Sequence, residues 1–169
     1  MAFVVETGTG LTNSNAYTSV AAFKSYHDDR GNSYATYTDP QIEKAIVRAS
    51  DYLDTRFVFL GYRRNVSQSM EWPRYEAFYQ DGRPANGVPV EVAEACAEYA
   101  LRALVAPLAP DPVADSSGRM VSAESKQVGP ISTSKQFSRD GSATSFKPYP
   151  VVDARLRELI ISGNRVLRA

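Results

Sequence analysis

The chain has 169 residues, 43% hydrophobic and 22% charged, and its 19 Lys plus Arg balance its 19 Asp plus Glu. That length suits one domain with a real core. Zero net charge argues against a dedicated nucleic-acid binder, which draws most of its affinity from neutralising phosphates. The single cysteine, Cys96, excludes an internal disulfide. No apolar run nears the roughly 20 residues of a membrane-spanning helix, and no N-terminal stretch joins basic residues to an apolar run. The expectation is a soluble protein made in a reducing compartment, with no membrane partner.

Residues 1–17 are rich in Gly, Thr and Asn around Gly8-Thr9-Gly10 and read as an ordered arm or a short strand followed by turns. Thr18 or Ser19 can cap a first helix, whose positions Val20, Phe23 and His27 follow helical spacing until Gly31 stops it. Asp39-Pro40, an N-cap residue followed by Pro, opens a second helix over 40–55. Ile42, Ala45, Ile46, Ala49 and Leu53 form one apolar stripe on it. Asp51 and Asp54 lie on the opposite side and read as solvated.

A loop runs from about Gly61 to Gly87 and holds the only tryptophan, in Glu71-Trp72-Pro73-Arg74. Trp needs a pocket, and Pro pushes the residue before it out of helix, so this loop is expected to be docked at one rigid point. A third helix begins near Pro89 and runs to about Val105. Its polar positions Glu91, Glu94, Glu98 and Arg102 fall on one narrow stripe, which marks a helix buried on most sides and central to the fold. Cys96 within it reads as a small buried thiol.

Pro107, Pro110 and Pro112 end that helix. Residues 113–150 are Ser-rich with weak extended patterns at 120–128 and 131–137, and read as a β-hairpin or a long extended arm, with Gly129-Pro130 as a turn or bulge. Pro148-Tyr149-Pro150 leads into a last helix near 152–162 that Gly163 can cap, leaving Asn164–Ala169 as a short basic tail. The fold class is mainly α. A small bundle of about four helices, 18–108 and 150–163, carries an extended arm or β-hairpin at 113–149 within a single domain of residues 1–169.

Little here looks like a catalytic centre. The one histidine, His27, has no second His or Cys nearby with which to hold a metal, and the carboxylates are dispersed, so no catalytic, metal or cofactor site is expected. Gly8-Thr9-Gly10 lacks the Gly-Lys-Ser/Thr ending of a phosphate loop and reads as a turn. Arg63, Arg64, Trp72 and Arg74, with Tyr62 and Tyr75, place basic and aromatic residues in one loop. Single-stranded nucleic acid can use such a mixture, since bases stack on aromatics while Arg holds phosphate. Protein interfaces are enriched in the same residue types, and the neutral charge favours that reading.

Taken in order, several segments resemble the head–tail connector, or adaptor, proteins of long-tailed bacteriophages. They are Glu6-Thr-Gly-Thr-Gly-Leu-Thr-Asn-Ser-Asn-Ala-Tyr17, Lys44-Ala-Ile-Val-Arg-Ala-Ser-Asp-Tyr-Leu-Asp54, Met70-Glu-Trp-Pro-Arg74, Val88-Pro-Val-Glu-Val-Ala-Glu-Ala95, Gln127-Val-Gly-Pro-Ile131 and Tyr149-Pro-Val-Val-Asp153. Similar sequences also carry a label as single-stranded-DNA-binding, primosome-related proteins, which is the alternative function. The connector resemblance implies a virion protein of the neck between capsid and tail, made in the host cytoplasm. Its implied assembly is a ring of about twelve copies on the portal protein, leading to a downstream stopper or tail-terminator protein, with passing contact with genomic DNA in the channel. It further implies a weakly associating subunit that closes into a ring on its template. Two residue-level expectations follow. Trp72 anchors its loop against the bundle or a neighbouring subunit, and Arg165, Val166, Leu167 and Arg168 form a portal-docking tail, for which a frayed terminus is the plain alternative.

Overall fold

The computed structural model describes residues 2–110, 121–127, 132–137 and 147–161. Four helices and two short antiparallel ribbons follow in the order α1 Val20–Asp28, α2 Asp39–Arg56, β1 Tyr62–Arg63, β2 Arg74–Tyr75, α3 Val90–Val105, β3 Val121–Gln127, β4 Ser132–Phe137 and α4 Pro150–Arg155. The protein is a small mainly-α domain with a two-stranded hairpin, the expected class. Two compact units divide it: the helices with β1 and β2, and a hairpin unit spanning Ala109–Lys147.

The helix starts follow local chemistry. The Ser19 hydroxyl accepts from the Ala22 N–H at 3.1 Å, which caps α1. At α2 the cap lies one residue earlier than the sequence reading placed it. Thr38 is the N-cap, and the Gln41 side chain reaches back to accept its N–H at 2.8 Å, so Asp39 and Pro40 are the first helical residues. The reason is the reciprocal pairing of Thr38 with Gln41, which satisfies orphan end groups that Asp39 alone would leave bare.

Helix α3 is the central element, packing on α1, α2 and α4. Ile42, Ala45, Ile46, Ala49 and Leu53 of α2 are buried, as are Val92, Ala95, Cys96, Tyr99, Ala100 and Ala103 of α3. The small residues let these two helices approach closely, and the Cys96 Sγ lies 3.3 Å from the Ser50 Oγ. Burial pushes the Cys96 thiol up to about 12. The polar stripe of α3 is not a wet face. Glu91 accepts from the Tyr79 hydroxyl at 2.8 Å, Glu94 meets Arg155, and Glu98 meets Arg102 and the Tyr26 hydroxyl at 2.6 and 2.9 Å. Each of these half-buried carboxylates is thus given donors in place of water.

His27 joins α1 to α3. It is fully buried, with Nε2 3.0 Å from the Ala97 carbonyl and Nδ1 3.0 Å from the Asn32 amide. Those partners assign the neutral tautomer with the proton on Nε2. Burial dominates and holds the imidazole below its usual range, so His27 is a structural pin.

Helix α4 is shorter than the 152–162 that its apolar spacing predicts. It ends at Arg155, the chain turns through Leu156 and Leu159, and Ile160 then bridges to Phe59. Leu60 donates to the Leu159 carbonyl at 2.9 Å, and Ile161 donates to the Val58 carbonyl at 2.8 Å. Backbone pairing with the extended 58–60 segment replaces the last helical turn, and Leu156 and Leu159 still reach the core. Asp153 ties this end down by accepting from Arg56 at 2.6 Å and from the Tyr99 hydroxyl.

In the hairpin unit, β3 and β4 are antiparallel, with Glu124 opposite Lys135, Ser125 opposite Ser134 and Lys126 opposite Thr133. This is the hairpin form of the predicted arm. The Gly129-Pro130 turn, Gly163 and the tail residues Arg165, Val166, Leu167 and Arg168 lie outside the described residues.

Candidate interface site

The loop between α2 and α3 is held from several directions. Trp72 is fully buried, its ring 5.6 Å from that of Phe59 in an edge-to-face arrangement. Its backbone N–H donates to the Tyr17 hydroxyl at 3.2 Å, and Tyr17 in turn donates to Asp54. Asp54 also accepts the Glu71 N–H at 3.1 Å. Asp54 is therefore not the solvated position its spacing predicts. It is half-buried because the Trp72 loop folds over the end of α2 and covers it. Burial, the main cause, pushes its carboxyl up to about 6 against the pull of these two donors.

The arginines of this loop separate by role. The β1–β2 register sets Tyr62 opposite Tyr75 and Arg63 opposite Arg74. Paired residues share a face and successive residues alternate, so both tyrosines point one way and both arginines the other. Arg63 and Arg74 both reach backbone carbonyls, Arg74 nearly buried and Arg63 still exposed. Arg63 donates to Gln68 O at 2.6 Å and Met70 O at 3.2 Å; Arg74 donates to Leu60 O at 2.8 Å, to Gly61 O at 2.7 Å and to the Glu71 carboxylate. Buried Gln68 closes the loop by donating to Met70 O at 2.7 Å and Pro73 O at 3.1 Å. Gly61 is required here: at φ +74°, a Cβ would lie 2.1 Å from the Tyr75 carbonyl oxygen.

On the outer face, Tyr62 is 69% exposed and Tyr75 55% exposed. Arg64 sits 5.6 Å over the Tyr75 ring and donates to the Gly8 carbonyl at 3.0 Å. Val66 and Phe78 are exposed in the same loop.

The N-terminal arm supports this edge. The Glu6 carboxylate is buried and accepts the N–H groups of Gly8, Thr9, Gly10 and Leu11 at 2.9–3.0 Å, and the Ser14 hydroxyl at 2.8 Å. Burial opposes ionisation, yet these donors together hold Glu6 below its ordinary value. The Gly8-Thr9-Gly10 turn is thus an amide cradle filled by the chain's own carboxylate.

Of the residues singled out from the sequence, Arg63, Arg64, Trp72 and Arg74 do come together: Trp72 and Arg74 are turned inward, while Arg63 and Arg64 stay exposed, Arg64 against the Tyr75 ring. Glu6, Gln68 and Asp54 went unnoticed as loop-holding residues. The acidic Glu6 just before a Gly-rich turn was the one signal available; for Gln68 and Asp54 nothing in the local pattern marks a long-range role.

No curated protein and no solved structure matches the chain. The family model described as "Putative DnaT-like ssDNA binding protein" matches residues 1–169, the whole chain, and on that match the chain belongs to the family so described.

Proposed function

We propose that the chain is a non-enzymatic structural adaptor of a bacteriophage neck, a ring-forming subunit that joins the portal vertex to the tail or to the next neck protein. The carrying observation is where the positive charge goes. Eight described arginines, Arg63 and Arg74 among them, each lie within ion-pair reach of a carboxylate, which leaves Arg64 at this edge, with Lys44 and Arg48 on α2, outside the ion pairs. A groove that tracks a phosphate backbone needs unpaired cations along its length. The candidate edge instead exposes Tyr62 and Tyr75 on the β1–β2 ribbon and Val66 and Phe78 in the same loop, the aromatic and apolar surface of a protein contact. The ordered segments that resemble connector proteins support the same reading, and His27, the one histidine, is buried in a structural role.

A second reading, single-stranded-DNA binding, is favoured by the family description and by one local feature. Tyr62 and Tyr75 stand directly opposite each other with Arg64 above, which suits the stacking of one or two unpaired bases.

Counting copies of the chain against the major capsid protein in purified virions, by quantitative mass spectrometry, separates the two. About a dozen copies per particle is the expected result for a ring. Absence from mature particles overturns the adaptor reading and puts single-strand binding first. That binding is then tested by fluorescence anisotropy with an oligothymidine and the Tyr62→Ser/Tyr75→Ser variant.

A further inference from the structure

Two surfaces of the helical unit carry chemistry that the fold itself does not use. The first is a groove of about 690 Å³ between the N-terminal arm and the opening turns of α2. Apolar Phe3, Pro40 and Val47 line it, together with Glu43, Lys44 and Arg48. The groove wall is fixed, because the Asn15 side chain accepts the Val4 N–H and donates to the Ala2 carbonyl, both at 2.9 Å. Lys44 and Arg48 are exposed and stand one helical turn apart on the same side of α2. Neither has a carboxylate partner among the described residues, where the general pattern is pairing.

The second surface is the loop just after β2. Glu76 is the only described non-glycine residue with a left-handed backbone, at φ +56°. A long side chain costs free energy there, and such an outlier points from geometry toward a role. Its carboxylate is exposed and has no hydrogen bond or ion pair among the described residues. Two residues on, Phe78 is 51% exposed. The loop is nevertheless tied down: Ala85 donates to Ala77 O at 2.8 Å, Tyr79 donates to Arg83 O at 2.9 Å, and Ala77 and Ala85 are buried. An aromatic ring and an unpaired anion are thus presented on a fixed base, and no residue of this loop lines the groove.

One chain therefore carries an apolar groove with two unpaired cations beside the single Glu43 carboxylate, net positive, and an aromatic side chain with one unpaired anion. We propose that the Glu76–Phe78 loop of one copy docks in the Phe3–Pro40–Val47 groove of a second copy, with Phe78 in the groove and the Glu76 carboxylate against Lys44 and Arg48. The contact joins unlike faces, so each copy keeps one free groove and one free loop, and the association propagates until it closes. This deepens the adaptor reading, since it names the two faces that a ring of identical subunits needs, and it commits to a second copy of this chain as the occupant.

The test uses two variants of the full chain, a groove variant (Lys44→Ser/Val47→Asp) and a loop variant (Glu76→Gln/Phe78→Ser), studied by sedimentation velocity up to about 1 mM, where contacts as weak as millimolar still register. The wild type is expected to sediment faster with rising concentration, and each variant alone to stay monomeric, an affinity loss of at least about tenfold. An equimolar mixture of the two variants is expected to form a dimer and stop there, because one intact loop meets one intact groove. That rescue also shows that both variants are folded. A wild type monomeric throughout, a variant that associates like the wild type, or a mixture that stays monomeric would each overturn the proposal. None of these outcomes touches the copy number in virions, which judges the adaptor reading separately.

Discussion

Replacing Trp72 by Ala removes the side chain that fixes the candidate edge. The indole is fully buried against Phe59. A buried Trp removes roughly 150–250 Å² from water, worth about 4–6 kcal/mol at 25 cal/mol per Å². One term works against it: Nε1 is buried without a hydrogen-bond partner among the described residues, which costs about 1–2 kcal/mol. Trp72→Ala is therefore expected to destabilise the fold by about 3–4 kcal/mol, within the range seen for Trp truncations in cores. At a typical urea slope of about 2 kcal/mol/M, the midpoint falls by roughly 2 M. Far-UV circular dichroism is the readout, since the variant has no tryptophan fluorescence. Trp72→Phe serves as the internal control. It keeps an apolar ring beside Phe59 and discards the unpaired donor, so it should retain more than half of the lost stability. A midpoint for Trp72→Ala within about 0.5 M of the wild type would refute the claim that this side chain anchors the loop.

Gly61→Ala should cost about 2 kcal/mol or more, because its Cβ would meet the Tyr75 carbonyl at 2.1 Å in a left-handed backbone; equal melting temperatures would refute it. Asp54 gives a pH test. Its folded-state carboxyl is raised to about 6 from 3.8, so folding takes up a proton there, and this group's contribution improves as pH falls through 6 toward 4 and is lost as pH rises. Relative to Asp54→Asn, which cannot titrate, the wild type should gain about 2 kcal/mol between pH 8 and pH 4 in urea titrations. A pH-independent difference between the two proteins would show that Asp54 is ordinarily solvated.

Much of the helical architecture is written locally. The apolar stripe of α2, the cap of α1 and the prolines after α3 act within a few residues of themselves; the structure places the stripe and the end of α3 where the spacing puts them, and of the two candidate caps it uses Ser19. The need of Trp72 for a pocket is likewise a property of the side chain, whatever the fold. Where the reading missed, the missing information lay far away in the chain. The last turn of α4 gives way to pairing with residues 58–60, about a hundred positions earlier, which no window around Ile160 contains. Asp54 looks like any outward helix position until the loop carrying Glu71 and Trp72 folds over it.

The candidate edge divides in the same way. The sequence by itself determined that Tyr62, Arg63, Arg64, Trp72, Arg74 and Tyr75 occupy one loop, and so that aromatic and basic chemistry meet there. Only the tertiary structure decided which of them face out. Strand pairing turns alternate residues to opposite sides, and the carbonyls of Leu60, Gly61, Gln68 and Met70 lie within reach of the arginine side. Arg63 and Arg74 fall to that side and become struts, while the tyrosines are left to solvent and to whatever partner covers them. Composition can count charges, but whether a charge is free depends on which acceptors the fold brings within 3 Å of it.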